Sequence, residues 1–168
     1  ALGWLWLPRG VIAQRLRDRP GVLVLSAAFA TRWREVGDLL PVAGPRTAGP
    51  LPGAPTVTYD APCHLQHGQH VTIPPLTVLA AIDQLTLIPL TDSDQCCGSA
   101  GIYNPIEPEL SDQVLAPKLA HIAASGAAIV DTGNPGCLMQ IGAGPVRSGS
   151  VATARHPVEL LADADRKS

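Results

Sequence analysis

Aromatic side chains are scarce in this sequence: one Phe, two Tyr and three Trp make up 4% of its 168 residues. A core built on stacked rings is thereby excluded, and Ala, Leu, Val and Ile have to fill it. At 46% hydrophobic content the chain is long and apolar enough to bury a real core as one domain, or as a domain with a partial neighbour. Excess positive charge is also missing. Twelve Lys and Arg against 14 Asp and Glu leave a net charge of -2, which gives no footprint for nucleic acid or an anionic membrane. The apolar opening Leu2-Gly3-Trp4-Leu5-Trp6-Leu7 is far too short to span a bilayer, and no signal-peptide pattern is present. The plain reading of Trp4 and Trp6 is packing on their own domain, with a membrane surface or a partner as the alternative. No Ser-His-Asp arrangement, P-loop or Gly-x-Gly-x-x-Gly occurs, and Gly98-Ser99-Ala100-Gly101 carries no Lys to meet a phosphate. Four cysteines are too few for a disulfide framework in a chain of this size, which points to a reducing, cytoplasmic compartment.

Those four cysteines are the most informative residues present. Cys96 and Cys97 are adjacent and followed at once by Gly98, with Cys63 before them and Cys137, preceded by Gly136, after them. Neighbouring thiols cannot close an ordinary disulfide with each other without distorting the backbone, but they can diverge from one short loop onto one metal centre. Gly98 removes a Cβ and allows the tight turn this needs. The residues alone leave several solutions open: an iron–sulfur cluster, a structural zinc ion held by all four thiolates, buried structural thiols, or a redox-active disulfide.

The chain divides into a head, a linker and a body. Val22–Leu25 reads as a buried strand and Ala27–Leu40 as a helix capped by Ser26. The stretch 41–55 holds eight Pro and Gly residues and reads as a linker or exposed loop. In the body, strands are expected at Thr56–Tyr59, Leu85–Leu90, Ala127–Val130 and Val151–Ala154. Helices are expected at Leu76–Ile82, Pro108–Ala124 (kinked or split at Pro117), Leu138–Ile141 and Pro157–Ala164. This order predicts an α/β, Rossmann-like parallel sheet with its site at the strand C-terminal ends. Cys63, Cys96-Cys97 and Cys137 then all fall on strand-to-helix loops, where helix N-termini after Cys63 and Cys137 supply donors and positive potential for thiolates.

Around the thiols, His64 and His67 read as hydrogen-bond donors to sulfur or backbone that tune a bound group, with direct ligation as the alternative. Gly98, Asn134 and Gly136 are expected to shape the turns that would bind a cofactor, while Tyr103 and Asn104, after the Cys-Cys-Gly turn, read as ordinary turn residues. His156 is expected to cap or orient the last helix and His121 to lie on the surface. Asp92 and Asp94 read as a solvated loop.

The segments Tyr59–Gln69, Gln95–Asn104, Gly133–Ile141 and His156–Leu161 resemble the cysteine-rich CCG domain family. The nearest branch is the C-terminal part of the glycolate oxidase iron–sulfur subunit; heterodisulfide reductase subunits and lactate-oxidation iron–sulfur proteins are more distant. The resemblance runs over residues 56–164 and implies a three-layer domain with a short, mostly parallel sheet. It also implies an iron–sulfur cluster of the 4Fe-4S type on Cys63, Cys96, Cys97 and Cys137, with zinc as the alternative. The implied role is electron transfer beside flavin-containing subunits that oxidise a 2-hydroxy acid, with catalysis left to the partner. Membrane contact, at the inner face, would come through that complex. An N-terminal ferredoxin-like segment and a first CCG domain, both usual in that family, are not found complete; residues 1–40 look like the tail of that first domain, 41–55 the linker and 56–168 the CCG domain. Gln140 stands where the fuller family pattern has a further cysteine, which argues against a disulfide-cleaving centre.

Overall fold

The computed structural model describes residues 48–101, 103–144 and 152–165. The strand and helix expected at 22–25 and 27–40, and Trp4 and Trp6, lie outside the described residues. Four parallel strands form the sheet: β1 (Thr56–Tyr59), β2 (Thr86–Ile88), β3 (Ile129–Asp131) and β4 (Thr153–Arg155), in the order β2-β1-β3-β4. β1 is β-branched and almost wholly buried, as a strand covered on both faces must be. The helices are α1 (Ile73–Ala80), α2 (Tyr103–Ile106), α3 (Pro108–Ser125), α4 (Pro135–Gly142) and α5 (Pro157–Asp165), and a π-helical turn spans His64–Gly68.

Two apolar clusters sandwich the sheet. Val57, Tyr59 and Ile129 pack with Leu79 of α1 and Leu160 of α5 on one face. Val130 packs with Leu115, Leu119 and Ile122 of α3 and Ile141 of α4 on the other. The result is the expected three-layer, Rossmann-like α/β arrangement. Ala48 and Leu51, in the stretch read as an exposed linker, are only 5% and 7% exposed and belong to the first cluster.

Several element bounds differ from the expectation for identifiable reasons. α1 begins at Ile73, so Pro74 sits inside its first turn, where a missing N–H costs nothing. α3 runs unbroken through Pro117 to Ser125, and Gly126 ends it in the left-handed region at φ 67°. Pro117 is exposed, so the carbonyl it leaves without a helical partner, four residues earlier at the exposed Gln113, can be hydrated. α4 starts at Pro135, so Cys137 lies in its first turn and not before it. β2 is shorter than expected at both ends, and β3 and β4 are each shorter and end one residue further toward their C-terminal loops.

The strand order places a topological switch between β1 and β3. From β1 the chain steps outward to β2, then crosses back to β3 on the other side. Loops leaving two such strands diverge and open a crevice at the C-terminal edge, the usual ligand position in a parallel sheet. Cys63 follows β1 and Cys137 follows β3.

Candidate metal centre

Three loops bring the four cysteines together. Cys97 Sγ donates to Cys137 Sγ at 2.8 Å, across 40 residues of sequence. Cys63 hydrogen-bonds Cys96, and Cys96 in turn is bonded by Cys97. The thiols thus form a continuous run, Cys63–Cys96–Cys97–Cys137, with Cys97 and Cys137 buried and Cys63 and Cys96 partly exposed. All four are free.

The protons in this run are unequally held. Hydrogen bonding with Cys63, and then with Cys97, lowers the pKa of Cys96, helped by the Gly98 N–H, 3.4 Å from its sulfur, and by the charge of Lys118. Cys63 is pushed up chiefly by its bond to Cys96 and by burial, and Cys97 by its bonds to Cys137 and Cys96. The backbone donors to sulfur come from His64, Gly98 and Ser99. Helix N-termini contribute less than expected, because the Cys137 N–H in α4 is taken by the Asn134 side chain at 3.0 Å.

Asn134 organises the third loop. Its Oδ1 caps α4, and its Nδ2 donates to His64 Nδ1 at 3.2 Å, joining the loops that carry Cys137 and Cys63. Gly136 packs closely beside it: a Cβ there would meet Ser99 Oγ at 2.8 Å and Asn134 Oδ1 at 3.0 Å, so a larger residue would make those side chains shift. His67 is exposed, and its Nε2 donates to the Asp94 carbonyl at 3.4 Å, tying the Cys63 loop to the Cys96 loop. Both histidines therefore join loops, His64 through the Asn134 side chain and His67 through the Asp94 carbonyl. His156 orients α5 as expected: its Nδ1 accepts from the Val158 N–H and its Nε2 donates to the Gly133 carbonyl. His121 is half-buried, with Nδ1 3.8 Å from Asp92 Oδ2.

Gly98 adopts φ 82°, and a Cβ there would stand 2.5 Å from the Ser111 carbonyl oxygen of α3. Ser111 Oγ donates to the Gly98 carbonyl at 2.9 Å and accepts from Gln140 Nε2 at 2.9 Å, while Gln140 Oε1 accepts from Asn104 Nδ2 at 3.0 Å. α2, α3 and α4 are thereby tied to the Cys96-Cys97-Gly98 turn. Gln140, which replaces a cysteine of the fuller pattern, has a definite position in this chain of bonds.

Beneath the thiols lies a group that motif reasoning missed. Lys118 of α3 is fully buried; its Nζ pairs with Asp60 Oδ1 at 2.8 Å and donates to the carbonyls of Asp92 and Ser93 at 2.9 and 3.0 Å. One side chain thus ties the end of β1, three residues before Cys63, to the loop that carries Cys96. Burial raises the Asp60 carboxyl, with Lys118 and Thr132 opposing. Asp131 is also fully buried, without a hydrogen-bond partner on either oxygen; burial, then Asp60 and Glu159, push its pKa well up. The available signal for Lys118 was its place among Leu115, Leu119 and Ile122, an inward position that a lysine occupies only when paired.

An all-sulfur donor set of this kind suits a thiophilic metal centre. In a tetrahedral site with 2.3 Å metal–sulfur bonds the sulfurs would stand about 3.8 Å apart. The Cys97–Cys137 pair is closer than that, so the thiols have to part by ~1 Å to admit even one such ion. Among the described residues no group of three or more His, Cys, Asp or Glu is set as a ready cage for a single metal ion. No helix among them is long and apolar enough to cross a membrane.

The chain is 39% identical over 110 residues to the probable glycolate oxidase iron-sulfur subunit of Bacillus subtilis, covering 64% of this chain and 25% of that protein. It is 33% identical over 104 residues to lactate utilization protein A of Shouchella clausii, covering 62% of this chain and 44% of that protein. The chain therefore spans between a quarter and a half of these relatives. No solved structure matches it. The profile of the cysteine-rich CCG domain matches residues 57–142, from β1 to the end of α4 and with all four cysteines inside it, and the chain belongs to that family.

Proposed function

We propose that this chain is the iron–sulfur electron-transfer part of a complex that oxidises glycolate or a similar 2-hydroxy acid, taking electrons from a flavin-containing partner. The observation that carries the reading is the meeting of four thiols from three strand-to-helix loops at the switch between β1 and β3. The names of the two relatives, an iron-sulfur subunit and a lactate utilization protein, support the hydroxy-acid setting.

Cys63, Cys96, Cys97 and Cys137 are the ligands of a cluster of the 4Fe-4S type. When bound, the cluster accepts and releases single electrons; its potential is set by charge, hydrogen bonds to sulfur and exposure. The amides of His64, Gly98 and Ser99 donate to the ligand sulfurs. Lys118 keeps a positive charge below the anionic centre, and Asn134 holds Cys137 toward it. Cys97 and Cys137 are screened from water by α3 and α4, while Cys63 and Cys96 face outward, toward an exchange partner. The oxidation of the hydroxy acid itself belongs to the flavin subunit. Residues 56–168 form the CCG unit, and a ferredoxin-like segment of the complex provides the next electron carrier. The complex works in the cytoplasm, at the inner face of the membrane.

Anaerobic purification followed by iron, acid-labile sulfide and zinc analysis tests this. Iron and sulfide in near-equal amounts are expected. One zinc per chain in a colourless sample would overturn the relay and leave a zinc-stapled assembly module.

A further inference from the structure

Within the run of four thiols one contact stands apart. Cys97 and Cys137 lie at 2.8 Å, between loops that no local sequence brings together, and are 3% and 5% exposed. Sulfurs joined in a disulfide are about 2.03–2.05 Å apart, so closure needs an approach of under about 1 Å. Both backbones are held in place: the Cys137 N–H by Asn134 Oδ1, and the turn after Cys97 by the bond from Ser111 to the Gly98 carbonyl. The adjacent Cys96–Cys97 pair has no comparable option, because a link between neighbours strains the peptide between them.

We propose that Cys97 and Cys137 of the metal-free chain are a reversible oxidation site, closing a disulfide when hydrogen peroxide is the oxidant. The two thiols each give up one hydrogen and together two electrons; the peroxide O–O bond breaks, and two water molecules and one S–S bond result. Hydrogen peroxide is a small oxidant, which suits two thiols with so little exposure. A small thiol reductant reverses the step by exchange, leaving its own disulfide. The oxidised chain has lost two of its four donors and cannot be loaded until it is reduced. That consequence, unlike the disulfide itself, rests on the cluster reading above.

The test treats the full metal-free chain with one equivalent of hydrogen peroxide, blocks remaining thiols by alkylation, and maps peptides by mass without reduction. The expected product has lost two hydrogens and joins the Cys96-Cys97 peptide to the Cys137 peptide. The same link should persist in Cys96→Ser and vanish in Cys97→Ser, and dithiothreitol should restore four alkylatable thiols in the wild-type chain. Should Cys97→Ser not fold, the wild-type and Cys96→Ser maps decide between them. A dominant Cys63–Cys96 link, sulfinic acid that the reductant cannot reverse, or four free thiols after peroxide would overturn the proposal. Iron and sulfide uptake is then measured on oxidised and re-reduced chain. No uptake in either state would sink the cluster reading while leaving the disulfide judged by the mass map.

Discussion

Lys118 Nζ lies 2.8 Å from Asp60 Oδ1, with the two side chains 0% and 2% exposed. The pair sits where two cysteine-bearing loops leave the sheet, and the same ammonium donates to the carbonyls of Asp92 and Ser93. Burying two charges is costly, and removing one partner is worse than removing both. Lys118→Met should therefore destabilise the metal-free chain by about 3–5 kcal/mol in urea unfolding, and the Lys118→Met, Asp60→Asn double variant by clearly less. Equal losses in the two variants would show that Lys118 acts through its bonds to the loop and not through the pair.

Asp131 supplies a pH dependence. Its carboxyl is buried with no partner, and its pKa stands well above 3.8. Above about pH 4 the unfolded chain has released a proton that the folded chain still holds. The stability this residue contributes is complete at low pH and is lost as the pH rises through the folded-state pKa. Asp131→Asn cannot ionise, so it should flatten that decline. Its stability relative to wild type should rise from about pH 4.5 to about pH 7.5, by up to about 1.4 kcal/mol for each pH unit. Parallel urea-unfolding curves at the two pH values would contradict this.

Much of this arrangement was legible beforehand, and the rest was hidden for physical reasons. β1 was placed to the residue because Thr56–Tyr59 is β-branched and bounded by Pro55 and Asp60. The alternation of strand and helix was enough to put all four cysteines on one sheet edge. What escaped was whatever depends on partners distant in sequence. Lys118 gains its meaning from Asp60 and Asp92, Ser111 from Gly98 and Gln140, and Asp131 from the absence of any partner. Local signals also misjudged Pro117, since a proline on the exposed side of an 18-residue helix breaks less than its rule implies.

Gly98 and Gly126 both have positive φ, 82° and 67°, yet their surroundings differ. Alanine at 126 meets open space, so Gly126→Ala should cost only the backbone strain, about 1–2 kcal/mol. Alanine at 98 adds a clash with the backbone oxygen of Ser111. Gly98→Ala should be the more destabilising of the two and should also reduce iron and sulfide uptake, which Gly126→Ala should leave intact. Equal uptake in both variants would refute the role assigned to the turn.

Ser111 joins the Cys96-Cys97-Gly98 turn to Gln140 on α4. Ser111→Ala leaves the Gly98 carbonyl and the Gln140 amide short of a partner in a buried setting. The expected loss is about 1–3 kcal/mol, and amide hydrogen exchange should rise at residues 96–99. Exchange rising only elsewhere would mean that α3 steadies the turn by packing alone.

The most direct test of the account is an anaerobic redox titration of the iron- and sulfide-loaded chain, followed by visible absorption and electron paramagnetic resonance. A cluster on the four thiols should bleach and recover reversibly with one electron per chain, and Cys63→Ser, Cys96→Ser, Cys97→Ser and Cys137→Ser should each alter or abolish the signal. A chain that takes up iron and sulfide but shows no reversible one-electron step, or a signal unchanged in all four variants, would contradict an electron relay built on these cysteines.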